Sequence, residues 1–292
     1  MCIRDRPYTD LKKGAKWWPS EIGTTTAFRE RLRRPHHPLV NAPFFTFWCF
    51  RLDIMHLWDC KGLWAIMMGS ALWLLVHSEN RLGPNMAKRL ENINEKRQAW
   101  YTTHKTKNRM PQIRIHNLVD SEGFANLHSP GIKAANTRSL VPFVADLVMQ
   151  FCDSGSVYHK AIQKMFKAAT DILDCLYKAD MFLNVEEQDL LKESILKLGQ
   201  YFQLAQAMAT EVGHFLWHLT PKVHQTMHII KQARLINPVA VQNYQEESFH
   251  GVVTKIWHGH AGGTYLKNVQ RTVLFKYLLG FLLNLKISLD IV

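Results

Sequence analysis

The sequence predicts a mainly α-helical protein in which a large helical block follows remnant strands of an RNase H-like α/β core in the N-terminal third. Three observations carry that expectation. Apolar residues recur at helical spacing through most of the chain after residue 130. Strand-like patterning is confined to the first 120 residues. Hydrophobic residues make up 47% of the chain and aromatic residues 11%, enough to build a packed core.

Residues 1–40 are polar, basic and broken by proline ("FRERLRRPHHP"), and read as an irregular leader that need not be native sequence. "FFTFWCFRLDIMH" is rich in aromatic residues and reads as a buried strand ending near Asp53. Gly62 and the apolar run Leu63 to Val76 then open a helix reaching about His77. At 14 residues that run is short for a bilayer. The apolar tail 273–292 is interrupted by Lys276, Asn284 and Lys286, and no membrane partner is expected.

Residues 81–109 read as a polar helix with eight Lys/Arg against two Glu, a local charge of 8 − 2 = +6. "QIRIHNL" reads as a short extended piece. Helices are expected at about 135–152, 157–180, 186–212, 221–235, 242–258 and 265–285, with Thr220 as N-cap before Pro221. The expected organisation is a leader at 1–40, a partial core with the basic helix at 41–120, and a helical insertion with the last core helices at 121–292.

The net charge of +12 points to a polyanion, nucleic acid before an anionic membrane surface. Five scattered cysteines without a CxxC pair argue against a zinc ribbon and a secreted disulfide scaffold. With no apolar leader segment, a nuclear or cytoplasmic location is expected rather than secretion.

Three clusters could carry chemistry. Asp53-x-x-His56-x-x-Asp59 places an acid at an expected strand end, where α/β sheets favour sites. An acidic helix start is the plainer alternative. "PKVHQTMHII" sets His224 and His228 four apart on one helix face, suited to a metal or to phosphate, though a structural pair is commoner. "NYQEESFHG" sets Glu247 and His250 on one face near a helix start, again open to a plain first-turn reading.

In this order the three clusters resemble a known family. "LDIMHLWDCKGLW", "PKVHQTMHI" and "NYQEESFHG" are similar to successive segments of CACTA-like (Plavaka-type) transposases and of related transposon-derived proteins abundant in dinoflagellates. "TRSLVPFVADL" and "ADMFLNVEEQDLL" resemble the helical segment between them. The likeness runs from about Phe44 to Leu282.

The resemblance implies an RNase H-like core interrupted by a helical insertion, with two-metal phosphoryl transfer on DNA. It makes Asp53 and Glu247 the catalytic and metal-holding acids for Mg²⁺ or Mn²⁺. His56, His224, His228 and His250 become supporting residues or phosphate contacts, and Asp59 a solvated first-turn acid. Lys88, Arg89, Lys96, Arg97, Lys105, Lys107 and Arg109 are the expected DNA contacts.

One departure stands out. A further acid is needed upstream of Asp53, and Asp10 alone has workable spacing. Too little chain precedes residue 40 for the rest of a five-stranded core. The expectation is therefore a truncated or decayed DDE transposase, inactive alone, with room for a homo-oligomer. Two alternatives stand beside it: a non-catalytic helical interaction module, and a zinc protein using His56, His224, His228 and His250.

Overall fold

A computed structural model describes Leu11 and residues 51–128 and 131–244. Contacts divide the chain into two units, 1–241 and 242–292, the second described only at Gln242–Tyr244. The first unit is helical. Among the described residues no strand forms, and one isolated antiparallel bridge joins Val119 to Ala125.

The expected strand end is the first difference. Arg51–Asp53 carry no regular structure, and Met55–Asp59 form a π-helical turn. Leu57 N–H bonds the Asp53 carbonyl at 3.0 Å, and Cys60 N–H bonds the Met55 carbonyl at 2.8 Å. Packing overrides the aromatic, strand-like composition here. Ile54, Met55, Leu57 and Trp58 are all buried, which needs side chains on one side of a turn rather than alternating on a strand. Phe44–Phe50 lie outside the described residues.

Helix α1, Leu63–Ser78, is apolar nearly all round, and only Trp73, His77 and Ser78 escape full burial. A helix with no polar face belongs at the centre of a protein. Together with the turn before it, Met55–Ser78 is long and apolar enough to cross a membrane, but 78% of its most apolar window is buried inside the protein.

Gly69 lets the 118–128 turn lie directly on α1. A Cβ there would stand 2.5 Å from the Leu127 backbone nitrogen. Leu127 N–H bonds the Ala65 carbonyl across the same contact, at 2.9 Å.

Helix α2, Met86–Thr103, starts at the Asn85 cap, whose side chain accepts from Lys88 N–H. Helix α3, Ala134–Phe151, packs on α1 and on the π-turn. Helices α4 (Val157–Lys178) and α5 (Val185–Glu211) form the largest helix–helix contact. Ser156 caps α4, and an Asn184/Glu187 capping box starts α5, so local sequence fixes both starts.

The expected helix over 221–235 is two short ones, α6 (Pro221–Thr226) and α7 (Ile229–Gln232), with His228 between them. One hydrophobic core runs from Ile54 to Ala233, spanning both sides of residue 120. "QIRIHNL" is a 3₁₀ turn at Ile115–Asn117 after an irregular approach.

Candidate functional site

The first two clusters meet in space, although some 170 residues separate them in the chain. The Gln232 side-chain amide clamps one backbone unit of the first cluster. Its Oε1 accepts from Leu52 N–H at 2.8 Å, and its Nε2 donates to the Leu52 carbonyl at 3.1 Å. Trp58 Nε1 donates to Thr226 Oγ1 at 3.0 Å, both residues buried. Lys222 Nζ donates to the Cys60 carbonyl at 2.8 Å, and burial holds its ammonium below the usual lysine range. Segment 51–60 is thus held on α6 and α7 by three polar contacts around a buried indole.

Within this frame Asp53 is fixed by its own turn. Oδ1 accepts from Met55 N–H at 3.0 Å, and His56 donates from Nδ1 to Oδ2. The pairing of Asp53 with His56 is therefore present.

Asp59 is not the solvated acid expected. It is 3% exposed and sits 3.8 Å from the Arg138 guanidinium. A carboxylate removed from water needs such a partner. Arg138 also donates to the Tyr177 hydroxyl and lies 4.6 Å over that ring, and the charges of Asp59 and Asp53 both act on the same hydroxyl. Arg138, Tyr177 and Gln232 were not candidates in the sequence, because nothing local marks them. Their partners lie on distant elements.

His224 is buried, and its Nε2 stands 3.3 Å from His228 Nε2 with the rings edge to face. One nitrogen must donate and the other accept, so at least one ring is neutral. Burial pushes His228 down to about 4. At neutral pH it is an uncharged imidazole and meets phosphate only as a hydrogen-bonding group.

Among the described residues no group of three or more His, Cys, Asp or Glu side chains stands close enough to share a metal ion. Both oxygens of Asp53 are already hydrogen-bonded, and Asp59 turns to Arg138. The described residues alone do not assemble a two-metal site, and no step through a metal follows from them. Glu247 and His250, and with them the Asp53–Glu247 separation, lie outside the described residues.

The basic block divides in two. Arg89 and Arg97 are 7% and 1% exposed, so they are not surface contacts for DNA. Arg89 donates to the carbonyls of Gly83, Val76 and His77. Arg97 donates to those of Met110 and Pro111. Asn94 adds a clamp, exchanging hydrogen bonds with Ile113 N–H and C=O at 3.0 and 2.9 Å.

These side chains strap the chain after α2 onto the helix. A sequence signal for this exists: Arg89, Ile93, Arg97 and Tyr101 recur every four residues, on the face that is buried. Lys88, Lys96, Lys105, Lys107 and Arg109 are exposed.

Comparison with protein-family models, curated proteins and solved structures finds no match to this chain.

Proposed function

We propose that the protein binds nucleic acid through the exposed cations of α2 and the loop behind it, as a non-transposing relative of DDE transposases in a nuclear or cytoplasmic setting. The observation that carries the binding reading is the loop Lys105–Arg109. Its three cations are exposed, while its ends are anchored. Thr106 N–H bonds the Tyr101 carbonyl at 3.1 Å, and Met110 N–H bonds the Tyr101 hydroxyl at 3.0 Å. Buried Arg97 holds Met110 and Pro111. A cationic loop ordered before binding loses less entropy when phosphates arrive. The net charge of +12 supplies the long-range attraction.

The catalytic half of the proposal rests on the resemblance, with Asp53 and Glu247 as the acids and Mg²⁺ or Mn²⁺ as the ion. It stands or falls separately from binding.

Binding to a short duplex, measured by fluorescence anisotropy across salt concentrations, tests the first half. Each phosphate neutralised contributes about −0.9 to the slope of log K against log salt. Reversing Lys105, Lys107 and Arg109 to Glu is expected to make the slope shallower by roughly 2 to 3. An affinity indifferent to salt, or a slope untouched by the triple change, refutes the binding reading. Mn²⁺ titration calorimetry with Asp53→Asn and Glu247→Gln tests the second half. Metal binding unaltered by either change leaves a non-catalytic binding module.

A further inference from the structure

A cavity of about 230 Å³ lies where the 120–126 turn meets Lys61 and residues 218–220. It is separate from the Asp53–His56 pair and from the basic loop. Two oxygens buried in its lining residues, Asn126 Oδ1 and Thr220 Oγ1, have no hydrogen-bond partner. Thr220 stands at the N-cap of α6, the position its sequence predicts, yet its hydroxyl makes no capping bond. Buried oxygens left this way cost stability until a donor reaches them.

The remaining lining sets the chemistry of that donor. Asp120 and Glu122 bring two carboxylates against one ammonium, Lys61. Asp120 Oδ1 is already taken by the N–H groups of Glu122 and Phe124, each at 3.0 Å, so the turn is rigid. Ile66 and Phe124 supply an apolar side, and the Phe124 ring is stacked 3.9 Å from His218.

Bare acceptors and a net negative lining disfavour an anion. The acids and His218 form no group able to share a metal ion. Water at roughly 30 Å³ per molecule fits the volume, and so does a small head group on an alkyl stem.

We infer that this cavity is a binding site for an alkyl cation with several N–H donors, an ammonium or guanidinium head. The head donates to Asn126 Oδ1 and Thr220 Oγ1 under the pull of Asp120 and Glu122. The stem lies along Ile66 and Phe124. Lys61, exposed beside it, opposes the ligand's charge. The source is either a free amine or the side chain of a lysine or arginine on another polypeptide.

The test uses the full chain and the side-chain amide resonance of Asn126, titrated with n-butylammonium, with n-butanol as its uncharged counterpart, and with spermidine. A blocked Gly-Lys-Gly tripeptide is the polypeptide arm. The cations are expected to give a saturable shift and butanol none. Stronger binding of the tripeptide than of spermidine assigns the site to a protein segment, and the reverse order to a free polyamine.

Glu122→Gln is expected to weaken binding roughly threefold, and Lys61→Gln to strengthen it by a similar factor, as for exposed charge pairs. Both positions are exposed, and circular dichroism checks that the variants fold. Equal shifts with butanol, or binding of inorganic phosphate or Ca²⁺ in place of the amines, overturn the inference. So does weaker amine binding in Lys61→Gln, or no saturable shift with any cation.

Discussion

Substituting His228 tests the joint between the two meeting clusters, because that imidazole is uncharged in the fold and must charge as pH falls. Its ordinary pKa of 6.5 drops to about 4 through burial beside His224. The folded pKa lies below the unfolded one, so protons favour the unfolded chain. The stability is complete above about pH 6.5, is lost as pH falls from 6.5 towards 4, and changes no further below that. A fall from 6.5 to about 4 corresponds to about 3 kcal/mol, at about 1.4 kcal/mol per pH unit.

His228→Gln keeps a hydrogen-bonding end without the charge. Urea midpoints from pH 7.5 down to 4 should fall less for the variant than for the wild type. The difference in fall should be about 1 M across the window, for a urea dependence near 3 kcal/mol per molar. Other groups titrating there are common to both proteins and cancel. Two curves that decline in parallel between pH 6.5 and 4 refute the argument, whatever their starting offset.

Three further substitutions probe how the candidate surfaces are held. Gln232→Met keeps the length and removes both bonds to Leu52, which leaves a half-buried N–H and C=O unmet. A loss of about 2–4 kcal/mol in urea unfolding is expected, and less than 0.5 kcal/mol would show that the clamp is idle. Gly69→Ala drives a methyl into the Asn126 and Leu127 backbone, so the 118–128 turn should leave α1, with a loss above about 3 kcal/mol. Amide exchange at Leu127 as slow as in the wild type would contradict this. Arg97→Lys keeps the charge but cannot span two carbonyls; it should cost about 1–3 kcal/mol while leaving the salt slope of DNA binding unchanged. A shallower slope in that variant would return Arg97 to the DNA-contacting set.

The long helices were legible because their signals are local. Ser156 and the Asn184/Glu187 pair announce α4 and α5, and apolar periodicity carries each to within a residue or two of its end. The stretch 51–60 was not legible, because its composition suits a strand while its burial demands a turn. That demand comes from α1, α3 and α6, which no local window contains. Arg89 and Arg97 fell between these cases. Counting charge put them on the surface, and the four-residue spacing they share with Ile93 and Tyr101 puts them inside. Net charge says how strong a field is, and periodicity says which side chains can deliver it.

The meeting of the first two clusters changes how any future substitution must be read. Asp53 takes its place from its own turn, but that turn is seated by Gln232, Thr226 and Lys222. A change at His224 or His228, on the same short helices, can therefore move Asp53 without either imidazole touching a substrate. Loss of an activity in such a variant is evidence of contact only if segment 51–60 stays in place. Retention of the hydrogen bond from Trp58 Nε1 to Thr226 Oγ1 reports that, since the indole is buried and its N–H exchanges freely once the joint opens. A protected Trp58 indole with lost activity argues for direct contact, and an unprotected one argues for displacement of the acid.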